Sequence, residues 1–394
     1  MRIRLPINGF DRHRYRFLDR CGGHINIGLG RSASGLLPSS DIVDRERRPR
    51  ASTESRARDP SMGERDRDDE RRRRPWRRLG AAALAASLVF GGTACGATDG
   101  EAQTRAAVRG AASAQTPAAT GQAEVTRRLR ELEASYHGRI GAFAIDTGTG
   151  RTVGHRTHER FPSNSTFKAV LCGAILHKAR TADPGLMERR HYWTAEEAKK
   201  AGHAPVTSLP ENIENGLTTA ELCHATITVS DNGAANVLLK QIGGPKGLTR
   251  YYRSLGDPVG RLDTYEPELN EWEPGQKSNT IMPAFMARDL AKLTTGDALV
   301  PEDRRQLNEW LKATTTGGTR IRAGLPDDWT VGNKTGTGGG TYATASDIAV
   351  AWRPSGAPLI FAVYTHRDGR HPEIDDGVIA QTASILARGL GATS

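Results

Sequence analysis

From Val125 to the C-terminus the apolar positions change period several times, and each change predicts an element. Val125 to Tyr136 sets Leu129 and Leu132 on one face with charges elsewhere, which predicts a helix. Arg139 to Ile145 is rich in strand-forming residues, breaks at Thr147-Gly148-Thr149-Gly150 and resumes at Thr152, the pattern of a hairpin. From Thr166 to His177 the period is helical and the run is apolar nearly all round, as for a helix buried within a domain. Between about 185 and 310 lie further helix-like stretches joined by Gly/Pro loops, with no strand period. Strand character returns at Trp329-Thr330-Val331, at Asp347 to Trp352 and at Pro358 to Tyr364. An amphipathic run from Ile374 to Leu386 closes the chain as a helix. No internal repeat is present. Strands at both ends with helices between predict an α+β fold, an α/β sandwich. Its antiparallel sheet is flanked by the N- and C-terminal helices and carries an inserted all-α lobe, with the active site in the cleft between.

The chain of 394 residues is longer than that domain, which is expected at 124–394. Residues 1–78 have no sustained period and little apolar surface to offset ordering entropy, so disorder is expected there. An arginine-rich stretch, Arg71 to Arg78, then precedes an apolar run from Leu79 to Phe90 and small residues Gly91 to Cys95. The run is too short to span a bilayer and has the length of a signal-peptide core, so residues 79–95 predict an export signal. Arg77-Arg78 allows a twin-arginine route, and Cys95 allows lipidation and membrane anchoring. Met62 lies a normal distance before the run and is the expected start of translation. Residues 96–123, rich in Ala, Gly, Thr and Gln, predict a flexible tether.

Charge alters the picture only in the leader. The formal net charge is +10, yet the first 80 residues hold 21 Arg and 12 acidic residues, leaving +1 for everything after them. A nearly neutral folded part argues against a nucleic-acid partner for that part.

Four short strings occur in order: Ser165-Thr166-Phe167-Lys168, Ser230-Asp231-Asn232, Glu266-Pro267-Glu268-Leu269-Asn270 and Lys334-Thr335-Gly336. Each alone also fits an ordinary cap, acidic loop or glycine-rich hairpin. Ser165 heads a predicted helix, where free N–H groups favour developing negative charge, and Lys168 shares its face in an apolar setting that disfavours the ammonium. Ser230 can relay a proton, Asn232 can hold an amide, and Asp231 suits a brace within the loop. Glu266 and Asn270 can hold one water. Lys334 with Thr335 and Thr337 makes a cationic, hydroxyl-rich patch for a carboxylate, and the backbone N–H groups of Thr337 and Ser165 can form an oxyanion hole.

In this combination the residues resemble the class A serine β-lactamases over about Val125 to Leu390. Arg261-Leu262-Asp263, Ile321 to Pro326 and Asp347-Ile348-Ala349-Val350 carry the resemblance further. It implies hydrolysis of penicillins and early cephalosporins through an acyl-serine intermediate, conferring resistance, by an exported monomer needing no metal or cofactor. It implies Ser165 as nucleophile, Lys168 as base or relay, Ser230 as shuttle and Glu266 with Asn270 as the deacylating pair. Whether Lys168 or Glu266 takes the acylation proton stays open. Substrate contacts are implied for Asn232, Lys334, Thr335, Gly336, Thr337 and Arg320, and His203 is implied at the cleft mouth. Cys172 and Cys223 match positions that some members join by a disulfide. The competing reading, a penicillin-binding DD-peptidase or sensor domain, lacks an equivalent of Glu266.

Two departures stand out. The family commonly clamps the Glu266 loop with an arginine–aspartate pair, where this chain has Thr264 and Asn279. The neutral ends predict a softer loop held by a hydrogen bond, hence slower deacylation or wider acceptance of bulky cephalosporins. Asn164 and Gly338 stand where some carbapenem-hydrolysing members have bridging cysteines, which counts against carbapenem hydrolysis.

Overall fold

The computed structural model describes residues 117–338, 340–370 and 373–393. The arginine-rich leader, Met62, the export signal with Cys95, and the tether as far as 116 lie outside the described residues. The tether ends earlier than expected, because helix α1 spans Pro117–Tyr136. Gln122 pins its first turns: the side chain donates to the Gly154 carbonyl at 2.8 Å and accepts the Gly154 N–H at 3.0 Å.

Strands β1 (Gly138–Asp146) and β2 (Thr152–His155) form the expected hairpin, and the short β3 (Phe161–Pro162) follows. The helical lobe begins with α2 (Phe167–Thr181), passes β4 (Arg190–His191), α3 (Ala195–Lys200), α4 (Pro210–Asn215) and β5 (Leu217–Thr218), and continues through α5 (Thr219–Thr228), α6 (Asn232–Gln241) and α7 (Gly244–Ser254). After β6 (Thr280–Ile281) come α8 (Pro283–Thr294) and α9 (Pro301–Lys312). The chain then returns to the sheet as β7 (Thr330–Thr337), β8 (Ala345–Trp352) and β9 (Leu359–Arg367), and ends in α10 (Asp376–Gly389). β3 to β6 are two residues each, too short to show a period, so the pattern gave no sign of them.

The main sheet has five antiparallel strands in the order β2-β1-β9-β8-β7. Both of its faces are covered, so its strands read as continuous apolar runs, with alternate residues feeding two cores. Ile360, Ala362 and Tyr364 of β9 pack into the helical lobe, while Leu359, Phe361 and Val363 pack under α1 and α10. Helix α2 lies in the middle of the lobe, with Phe167 to Leu176 all buried, which explains its lack of a polar face. Strand β7 forms one edge of the sheet and lies against the turn that starts α2.

Candidate active site

Ser165 sits in a tight 3₁₀ turn, Asn164 to Thr166, that feeds directly into α2. Thr166 ties the turn to the domain by donating to the Ser163 carbonyl at 2.6 Å and meeting the Tyr364 hydroxyl at 3.0 Å. Across from it, Gly336 of β7 approaches so closely that a Cβ there would lie 2.3 Å from Ser346 Oγ and 3.2 Å from the Ser163 carbonyl. Glycine is required for that contact.

Ser230 occupies the turn between α5 and α6 with φ of 59°, a left-handed conformation. Asp231 holds the turn in place as the α6 cap. Its carboxylate accepts the Ala234 N–H at 2.8 Å, the Val206 and Thr207 N–H groups at 2.8 and 2.9 Å, and the Thr207 hydroxyl at 2.7 Å. It is a brace, as its place beside Ser230 predicts.

Two fully buried lysines meet at Ser230. Lys168 Nζ lies 2.8 Å from the Ser230 carbonyl, 2.5 Å from Asn232 Oδ1 and 3.1 Å from Glu266 Oε1. Lys334 Nζ donates to Ser230 Oγ at 3.0 Å and to the Thr335 carbonyl at 2.8 Å, while Lys168 reaches the same Oγ at 3.4 Å. With donors on both sides, the Ser230 hydroxyl has its own hydrogen left to give, and the open direction is the cleft. Burial holds the Lys168 amine below the ordinary lysine range, with the Glu266 charge opposing. Lys334 is pushed down further, by burial first and by the Lys168 charge second.

Glu266 is buried, and its two oxygens are used differently. Oε1 accepts from Ser165 Oγ at 3.3 Å and pairs with Lys168, whereas Oε2 accepts from Asn270 Nδ2 at 2.6 Å. Asn270 sits in a single 3₁₀ turn, Glu268 to Asn270, so the loop does curl back on itself. At the loop's neck, Asn279 Nδ2 donates to Thr264 Oγ1 at 3.0 Å, and Asn279 Oδ1 accepts the Asp263 and Thr264 N–H groups. A neutral hydrogen bond stands where the ion pair would be, as the sequence predicts.

The opposite wall is β7. Arg320 donates to the Gly336 and Ser346 carbonyls at 2.8 Å each, to Thr337 Oγ1 at 2.9 Å and to Asp376 at 2.8 Å. Most of its five N–H groups therefore serve the protein, and its link to the cleft runs through the Thr337 hydroxyl. Ser165, Ser230, Asn232, Asn270, Thr335, Thr337, Arg320 and His203 all line one cleft of about 390 Å³. His203 is exposed at its rim, where its carbonyl accepts the Asn232 N–H at 2.8 Å.

The expected disulfide is not formed: Cys172 and Cys223 are both buried and both free, with Cys172 Sγ 3.7 Å from the Cys223 carbonyl. Burial and the neighbouring Cys172 push the Cys223 thiol well above its usual range. Sequence reasoning missed three members of the site. Asn236 grips the Glu266 peptide, accepting its N–H at 3.0 Å and donating to its carbonyl at 2.9 Å. Its place one helical turn after Asn232 was a usable signal. Thr316 meets Thr335 Oγ1 at 2.9 Å, and Asp376 pairs with Arg320; neither has a local sequence signal.

Comparison with known proteins agrees with this geometry. The model of the beta-lactamase enzyme family matches residues 124–389. A crystal structure of a β-lactamase from Streptosporangium roseum is 55% identical, covers 69% of this chain and 100% of that one, and superposes with a TM-score of 0.67. A β-lactamase of Streptomyces fradiae is 46% identical over 289 residues, 71% of this chain and 94% of the relative. A mutant of the class A β-lactamase of the last common ancestor of Gram-negative bacteria is 44% identical, with 68% and 100% coverage and a TM-score of 0.63. A match that spans both lobes and includes the whole nucleophile–lysine–carboxylate cluster makes the chain a member of the class A serine β-lactamases, enzymes that hydrolyse the β-lactam amide.

Proposed function

We propose that this β-lactamase hydrolyses penicillins and early cephalosporins by acylation of Ser165, with Glu266 driving release. The observation that carries the proposal is the position of Glu266 Oε1, within reach of both Ser165 Oγ and Lys168 Nζ while Asn270 holds Oε2. Ser165 Oγ attacks the lactam carbonyl and gives up its proton. Burial lowers the Lys168 amine, which also reaches Ser230 Oγ at 3.4 Å, so Lys168 takes that proton and can hand it on. The ring C–N bond then breaks as Ser230 delivers a proton to the leaving nitrogen and takes its replacement from Lys168. In the second half a water gives its proton to Glu266 and attacks the ester, and that proton passes to Ser165 Oγ as the ester C–O bond breaks. Lys334, Thr335 and Thr337 meet the substrate carboxylate, Arg320 orients the Thr337 hydroxyl, Gly336 lets the substrate lie along β7, and Asn232 takes the side-chain amide.

The test is turnover of a chromogenic cephalosporin by residues 117–394, parent against Glu266→Gln. Sustained hydrolysis collapsing to a one-equivalent burst supports the scheme. A burst in the parent itself would favour the DD-peptidase or sensor reading.

The run from Leu79 to Phe90 behind its arginine flank supports export, with Cys95 as the lipid acceptor if the product stays membrane-bound. Labelling of the native precursor with a lipid precursor, parent against Cys95→Ser, tests the anchor. The adjacency of Cys172 and Cys223 supports a disulfide in the exported, oxidised enzyme, tested by a free-thiol count after denaturation.

A further inference from the structure

Beyond the neck at Thr264 and Asn279, the grip of Asn236 on the Glu266 peptide and the buried Leu269, the loop that carries Glu266 has a further attachment on its far side. Among residues 271–278 Trp272 alone is buried, at 8% exposure, and its neighbours are solvent-facing or nearly so. Its ring lies 5.0 Å from that of His366 on β9 and meets Tyr342 edge-on at 6.1 Å. His366 in turn packs on Phe161 of β3 at 5.8 Å, and Phe161 packs on Tyr364 at 6.2 Å. Burial holds His366 below the ordinary histidine range, so the ring stacks as a neutral aromatic at neutral pH. Tyr342 belongs to the β7–β8 connection, and its carbonyl accepts the Arg367 N–H at 2.8 Å, which fixes it to β9. Two separate parts of the chain, β9 and the β7–β8 connection, therefore close on one indole.

The consequence reaches the reacting groups through two residues of backbone. Trp272 follows Asn270 by two positions, and Asn270 Nδ2 is the donor that holds Glu266 Oε2 at 2.6 Å. The neck is neutral, and the segment from 273 to 278 buries nothing. Aromatic pairs of this geometry attract one another beyond the area they bury.

We propose that Trp272 is a positioning residue for deacylation: clamped between His366 and Tyr342, it holds the Asn270 side of the loop so that Glu266 keeps its aim. This rests on Glu266 being the deacylating carboxylate. Without the clamp, the loop still closes at its neck but Asn270 drifts, and the acyl-enzyme outlives its normal turnover. Acylation is spared because Ser165, Lys168 and Ser230 are held by α2 and by the Asp231 brace.

The experiment compares parent, Trp272→Ala, Trp272→Phe, Tyr342→Ala and Glu266→Gln by stopped-flow with a chromogenic cephalosporin. Trp272→Ala should lower kcat roughly 10- to 100-fold. KM should fall with it, kcat/KM should be nearly unchanged, and a burst should appear. Trp272→Phe should restore most of the loss. Tyr342→Ala, at a half-buried position, should show a smaller defect of the same kind, and it serves as the readout should Trp272→Ala fail to fold. Folded Trp272→Ala or Tyr342→Ala enzyme with unchanged kcat, or with kcat and kcat/KM falling equally, would overturn the inference. Glu266→Gln separates the two readings: no burst there sinks the role of Glu266, whereas a burst there and none in the clamp variants sinks the clamp alone.

Discussion

Asn279 donates its side-chain amide to the Thr264 hydroxyl at 3.0 Å, and that neutral bond closes the neck of the loop that carries Glu266. Asn279 also adopts φ of 54°, a conformation that asparagine and aspartate tolerate better than most residues. The double variant Thr264→Arg/Asn279→Asp exchanges a neutral bond for a charge-assisted one without disturbing that backbone. It should stabilise the enzyme by about 1 kcal/mol. Deacylation should quicken as the loop stiffens, and turnover of bulky cephalosporins should drop. An unchanged melting temperature and unchanged turnover would count against the soft-neck reading.

Asn236 holds the Glu266 peptide by both its N–H and its carbonyl. Asn236→Ala strands both groups in a largely closed site, which should cost about 2–3 kcal/mol. The same change should slow deacylation more than acylation. Denaturant titration alongside burst kinetics checks both halves, and a stability loss below experimental error would refute the first.

Asp289 of α8 is buried beside Asp257, and burial together with that neighbour's charge pushes its carboxyl up to about 9. The folded protein thus keeps a proton that the unfolded chain releases near its ordinary value of 3.8. Since the folded state binds the extra proton, stability should fall as pH rises from about 4 to about 9. Asp289→Asn removes the titrating group and should flatten this dependence. Melting temperatures of both proteins at pH 5, 7 and 9 decide it, and parallel curves would exclude Asp289 as the cause.

Arg320 supplies hydrogen bonds to two buried carbonyls as well as to Thr337. Arg320→Ala should therefore raise KM for carboxylate-bearing β-lactams about tenfold with a smaller change in kcat. It should also lower stability, because Gly336 and Ser346 lose their donors. A variant with normal KM would show that Lys334 and the threonines suffice for the carboxylate.

Much of the site was legible because its chemistry is local. Ser165 and Lys168 lie three residues apart across the 3₁₀ turn and the start of α2, Glu266 and Asn270 share one curled loop, and Ser230 with its brace Asp231 and with Asn232 forms one turn. Spacing alone sets which of those side chains are neighbours. Residues whose role depends on a distant partner were harder to read. Asp376 follows Arg320 by 56 positions and pairs with it only because α10 folds back beside the sheet. Trp272 looked like one more residue of an acidic loop.

The sequence by itself determined the order of elements, the alternating strands that bury two faces, the residue types at each catalytic position and the absence of charge at the loop's neck. These follow from short-range period and composition, which the chain carries in every conformation. Tertiary structure decided how the four strings converge on one cleft and how Lys168 and Lys334 come to share the Ser230 hydroxyl. It also decided that Trp272 finds His366 and Tyr342, and that Cys172 and Cys223 lie side by side without a bond. Those relations join residues tens to more than a hundred positions apart. They exist only once the sheet and the helical lobe have packed, because burial brings the groups together and raises the cost of leaving any of them unpaired.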